Sequence, residues 1–242
     1  MKRFLGCLLI VSFLTTISWA QAPGSDSLLD SHIQEHRVRA SAFVAPTILV
    51  TSGIVGHASR HLHQADIDLH NTVVSWGMPK NPIDNALQYL PIASVLALRA
   101  CGVSSVHQYR DIIPLAAETY IIGAAVVLSV KHFADVQRPD LSAYNSFPSG
   151  HTFTAFAGAE ILRREYGKTH PLIAIGGYTI ATGVGLMRIY NSRHWMADVL
   201  AGAGVGILSA SAAYWTYPKI NSWITRKGCR LSATPVSLTL NF

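Results

Sequence analysis

Six apolar runs, at residues 41–58, 86–103, 113–130, 150–164, 171–187 and 198–217, most constrain what this 242-residue chain can fold into. Each has the length of a helix, and none alternates apolar with polar residues as a half-buried strand would. Connectors rich in Gly, Pro, His and Asp separate them. The fold class is therefore all-α, a six-helix bundle. A single domain over 21–242 is expected, with its helical core at about 41–217 and a basic tail at 218–242. The closing "PVSLTLNF" is the only strand-like piece; one strand makes no barrel, so it reads as an edge strand or tail.

The runs lie near the roughly 20 apolar residues that a membrane span needs. Most are shorter, and Arg99 and Glu118 interrupt two of them. With 50% hydrophobic and 13% charged residues, the chain has too much apolar surface to stay disordered, and a membrane-embedded bundle is the expectation. The start, "MKRFLGCLLIVSFLTTISWA", has the positive end, apolar middle and small-residue exit of a secretory signal, with cleavage after Ala20. Cys7 lies in that signal, which leaves Cys101 and Cys229. Two such distant thiols build neither a disulfide framework nor a zinc site, and leave open one disulfide in an export compartment. Without Lys2 and Arg3 of the signal, 17 basic minus 13 acidic residues leave +4, a mild bias without the basic block that tracks nucleic acid, so no nucleic-acid partner is expected.

Three stretches concentrate polar residues that an apolar bundle would otherwise avoid: "KHFADVQRP" from Lys131, "PSGH" from Pro148 and "RIYNSRHWMAD" from Arg188. They fall at the end of the third run, the start of the fourth and the junction of the fifth and sixth. In an up-and-down bundle these points share one end. Lys131, Arg138 and Arg188 would there supply three positive charges, which suits a phosphoryl group. Arg138 precedes Pro139 and so should leave the helix in an extended conformation. Ser149, Gly150 and His151 open a helix whose free amides and positive dipole end favour an anion. His194 and Asp198 are four apart and would share a helix face, with the carboxylate fixing the ring's tautomer and leaving its other nitrogen free as a nucleophile.

The pattern Lys, six residues, Arg-Pro; then Pro-Ser-Gly-His; then Arg, five residues, His, three residues, Asp resembles the signature of the type-2 phosphatidic acid phosphatase and vanadium haloperoxidase superfamily. The resemblance implies His194 as the nucleophile that takes up the phosphoryl group, Asp198 as its orienting partner and His151 as the general acid for the leaving alkoxide. It implies Lys131, Arg138, Arg188 and the amides near Ser149 and Gly150 as the phosphate's holders. It requires neither a metal nor another cofactor. Many relatives carry serine before the third motif's arginine, where this chain has Met187, a difference that bears on substrate preference more than on activity.

The resulting expectation is a metal-independent phosphatase for phosphorylated lipids in a bacterial inner membrane, with its site facing the periplasm. Phosphatidic acid, phosphatidylglycerophosphate, undecaprenyl pyrophosphate and lipid A phosphates are all compatible with it. A soluble periplasmic acid phosphatase, a vanadate-dependent haloperoxidase and a lipid-phosphate binding module are the alternatives. Orientation poses a conflict. With a cleaved signal and six spans, the site would face the cytoplasm, yet Arg163, Arg164, Lys168 and Lys219 mark the opposite end as cytoplasmic. The conflict disappears if the run at 41–58 lies on or beside the membrane, or if the bundle is peripheral. A second polar stretch, "HASRHLHQADIDLH" from His57, fits no closed metal-ligand set and reads as a solvated or interfacial loop. Trp76 and Trp195 read as packing residues or interfacial anchors.

Overall fold

The structure is a computed structural model that describes residues 40–226. The signal sequence and its cleavage point, Cys229 and the strand-like C-terminus lie outside the described residues. Among the described residues there are eight α-helices and no strand. A 3₁₀ turn at Ala40–Phe43 leads into α1 (Val44–Ala58), followed by α2 (Arg60–Ser75), α3 (Asp84–Leu87), α4 (Leu90–Ala100), α5 (Tyr109–Ala134), α6 (Gly150–Tyr166), α7 (Pro171–Tyr190) and α8 (Met196–Arg226). The six apolar runs correspond to α1 and α4–α8.

Two helices correct the expected count of six. The stretch after His57, read as a loop, forms α2, while α3 is a single turn between α2 and α4. Helix α2 was missed because most of its surface is polar; only Asp66 and Val73 are buried. An apolar-run criterion cannot see a helix that buries so narrow a stripe.

Local signals explain the ends that frame the site. Ser149 is the N-cap of α6, accepting a hydrogen bond from the Thr152 amide. Helix α5 stops at Asp135, which adopts a left-handed conformation with φ 52°. The chain then crosses the bundle end to Ser149 without regular structure. Helix α6 forms the centre, with Ala155, Ala157, Ala159 and Ile161 fully buried among α4, α5, α7 and α8.

Small residues let α8 approach its neighbours closely. A Cβ on Gly53 of α1 would lie 2.5 Å from the Ala197 carbonyl, and one on Gly202 of α8 would lie 2.5 Å from the Ser149 carbonyl. Both contacts are too short for any side chain, so glycine at these two positions sets α1 and the α6 N-terminus against the start of α8.

Four helical stretches, Ala40–Ala58, Tyr109–Ala134, Pro171–Tyr190 and Met196–Ile220, are long and apolar enough to cross a membrane. Their outward faces expose Ile48, Val55, Ile121, Leu128, Leu172 and Ile175, an apolar surface suited to lipid. The run at 41–58 packs along α8 as part of the bundle. Helix α6 is not among the four. It carries Glu160 in the bundle interior, bonded by Arg163, Arg164 and the Tyr178 hydroxyl.

Candidate active site

The three polar motifs meet at one end of the bundle, as the alternation of helix directions requires. Asp198, in the first turn of α8, is the hub. Its Oδ2 accepts from the Ser146 hydroxyl at 2.5 Å, from the Trp195 amide at 2.9 Å and from His194 Nδ1 at 3.3 Å. Its backbone carbonyl accepts from the Ser149 amide at 3.0 Å, which ties the second motif to the third. His194 itself lies in the turn before α8, so its contact with Asp198 is made across a helix start rather than along a helix face.

His194 is almost fully buried, and burial is the main cause that holds its pKa below the ordinary imidazole value, with Asp198 opposing and Lys131 and Arg188 adding to the fall. With Nδ1 donating to a carboxylate, the proton of the neutral ring is placed there and Nε2 keeps its lone pair. No described residue bonds Nε2. That is the state a nitrogen nucleophile needs.

His151 stands in the first turn of α6, where its Nε2 donates to Asn85 Oδ1 at 2.8 Å. Burial, followed by the Arg188 charge, pushes its pKa down to about 4. A Cβ on the adjacent Gly150 would meet no protein atom, so the mouth of that helix is open to a ligand. Ser149 plays a different part from the one expected. Its hydroxyl caps the helix, bonded by Thr152 Oγ1 at 2.9 Å, and its amide is committed to Asp198. The open amides of the turn are those that follow it.

The cations are held by the bundle end. Lys131 donates to the carbonyls of Asn145, at 2.5 Å, and Ser146, at 3.3 Å, which fixes its ammonium beside the loop. Arg138 Nε donates to Asn145 Oδ1 at 2.9 Å, and burial lowers its pKa. Arg188 is buried, with Nη1 on Asp84 Oδ2 at 2.7 Å, while its buried Nε has no partner among the described residues. An orphaned buried guanidinium N–H is costly unless an anion visits it. Beside it lies a cavity of about 200 Å³, whose walls include Arg138, Arg188, Arg193, Lys80, Asp84 and Asn85. Four cations face one carboxylate there. Neither His151 nor His194 lines this cavity, which adjoins both through Arg188.

Residues 114–222 match the PAP2 superfamily and contain all three motifs. This match spans a little under half of the chain. Over 135 residues it is 41% identical to the lipid A 1-phosphatase of Porphyromonas gingivalis, covering 55% of this chain and 30% of that protein. Over 77 residues it is 39% identical to the bacitracin transport permease protein BcrC of Bacillus licheniformis, covering 32% and 36%. The chain spans about a third of the length of the curated relatives it matches. Among solved structures, Aquifex aeolicus LpxE gives a TM-score of 0.46 at 23% identity, covering 61% of this chain and 93% of that one. The PAP2 type phosphatidylglycerolphosphate phosphatase of Bacillus subtilis gives 0.47 at 20%, covering 75% and 98%.

The structure also brings in residues that sequence reading missed. Asp84 and Asn85 of α3 carry Arg188 and His151, and Ser146 and His57 bond Asp198. The signal for the first two was a polar Asp-Asn pair between proline-broken apolar runs. Trp195 is a packing residue, its indole N–H donating to the Gln137 carbonyl at 2.8 Å.

Proposed function

We propose that this chain is a metal-independent phosphatase that hydrolyses phosphomonoesters or pyrophosphates of lipids through a phosphohistidine on His194. The observation that carries this reading is the pairing of two features at one bundle end: a buried imidazole with Nδ1 on a carboxylate, and a buried guanidinium with an unanswered N–H.

In the first step His194 Nε2 attacks phosphorus while the bond to the lipid oxygen breaks. His151 passes its proton to the departing oxygen. In the second step water attacks the phosphoryl group, its proton goes to neutral His151, and the N–P bond breaks to free His194 and inorganic phosphate. Arg188, Arg138, Lys131 and the open amides of the α6 start, at Gly150 and His151, stabilise the charge on the equatorial oxygens. Asp198 keeps the Nδ1 proton throughout and offsets the positive ring of the intermediate.

Two considerations favour a lipid substrate. The helices that build the site present apolar outer faces, and the matched stretch is similar to a protein named lipid A 1-phosphatase, which makes the lipid A 1-phosphate the first compound to try. Arg163, Arg164 and Lys168 gather at the opposite end of the bundle. By the excess of cations on cytoplasmic ends, the site then faces the periplasm, and α1 enters the bundle from the basic end.

Incubation with a ³²P-labelled short-chain phosphatidic acid, followed by rapid denaturation, tests the mechanism. Acid-labile, base-stable label on wild-type protein, absent from His194→Ala, is expected. Label on the His194→Ala protein would overturn the assignment.

A further inference from the structure

The stretch that begins at His57, near the end of α1, and matched no metal site sits on the nucleophile's turn. His57 Nε2 donates to Asp198 Oδ1 at 2.7 Å, a shorter bond than the 3.3 Å from His194 to Oδ2 of the same carboxylate. Both partners are excluded from solvent, with side-chain exposures of 4% and 0%. Nine residues on, the buried Asp66 of α2 accepts from the amides of Met196 at 2.8 Å and Ala197 at 3.1 Å, capping α8 from another helix. His63 and His70 pack their rings on Trp195, with centroids 5.5 and 5.7 Å away. Four side chains of one short segment therefore hold the turn that bears His194 and Asp198.

We infer that His57 is a positioning residue for hydrolysis: it fixes the carboxylate of Asp198 so that Oδ2 stays on His194 Nδ1, and it makes the α1–α2 segment part of the working site. This rests on the reading of His194 as the nucleophile. The segment lies outside residues 114–222, the part that carries the family's motifs.

The physical reason is the number of donors that one carboxylate must hold. Asp198 collects bonds from His57, Ser146, Trp195 and His194, and the two oxygens are divided between them. Without His57, Oδ1 is a buried lone-pair acceptor with no donor, and the carboxylate can turn to satisfy it at the expense of Oδ2. Loss of that bond also leaves the charge of the carboxylate answered by one donor fewer. Its attraction for the positive ring of His194 then grows, so the pH below which the nucleophile is lost moves up. The other groups facing His194, namely Lys131 of α5, His151 of α6 and Arg188 of α7, are untouched by the change.

The test uses the full chain in detergent with short-chain phosphatidic acid, comparing wild type, His194→Ala, His57→Ala and His57→Gln. Glutamine can present an amide N–H where the imidazole presented Nε2. For His57→Ala we expect kcat to fall about tenfold to a hundredfold with KM within about twofold, as for other groups that orient a reacting residue. The acid limb of kcat/KM should move to higher pH, and His57→Gln should recover most of the lost kcat. Equal loss in the Ala and Gln variants with an unmoved acid limb and a lowered melting temperature would assign His57 a purely structural role and overturn the inference. An inactive His194→Ala beside a fully active His57→Ala would also overturn it while leaving the nucleophile assignment intact. Turnover by His194→Ala would remove both.

Discussion

Replacing Asp84 by Asn changes one charge and almost no volume, at a point where the structure makes the sign of two effects opposite. Asp84 Oδ2 holds Arg188 Nη1 at 2.7 Å, and Oδ1 accepts from Asn191 Nδ2 at 3.2 Å. The pair is buried, with side-chain exposures of 8% for Arg188 and 1% for Asp84. At an effective dielectric constant of about 20, unit charges this close attract by roughly 6 kcal/mol before desolvation is counted. Breaking a buried pair from one side costs about 3–5 kcal/mol, because the partner is left charged and dry. The Asn carbonyl still accepts from Arg188, so about 3 kcal/mol is expected, or roughly 6–12 °C of melting temperature for a chain of this size. The second effect runs the other way. The anion cavity loses its one carboxylate and gains a net positive charge, so inorganic phosphate should bind more tightly and stabilise the Asp84→Asn variant by a larger shift than wild type. Thermal unfolding in detergent, with and without phosphate, reads both. A variant that melts with wild type, or equal phosphate shifts in the two proteins, would refute the account of Arg188.

Other outcomes follow from the same geometry. Burial lowers both site histidines, His151 to about 4, while the chemistry needs His194 neutral and His151 protonated. The first requirement sets the acid limb and the second the basic limb, so kcat/KM should be bell-shaped with its optimum below the ordinary imidazole pKa of about 6.5 and should fall through neutral pH; a profile that is flat or rising from acid to neutral pH would contradict the pair. Gly53→Val would drive a side chain into the Ala197 carbonyl, separating α1 from α8. Activity should drop with stability, by about 1–3 kcal/mol or more, and a variant with wild-type melting and turnover would contradict the close crossing. Asp66→Ala removes the cap on α8 and should cost about 1 kcal/mol, measured by denaturant unfolding. An unchanged midpoint would show that the cap contributes nothing.

Much of the fold could be read from the six apolar runs, because each buries enough surface to announce itself by composition. Helix α2 could not be read that way: it is held by Asp66 on two amides and by rings on Trp195, interactions with no periodic trace in sequence. The site divides along the same line. Lys131, Arg138, His151, Arg188, His194 and Asp198 stand at fixed spacings near helix ends and were legible as motifs. His57 meets Asp198 across 141 residues of chain and Asp84 meets Arg188 across 104, so only the packing of helices reveals them. Ser149 was legible as a site residue, but not that its amide and hydroxyl are taken up in holding α6 and α8 together.

The most direct measurement is phosphate release from short-chain phosphatidic acid and from lipid A in detergent with EDTA present, comparing wild type with His194→Ala. Release by wild type alone is the predicted result. Release by both proteins would contradict the nucleophile assignment, and release by neither would contradict a phosphatase acting on these lipids.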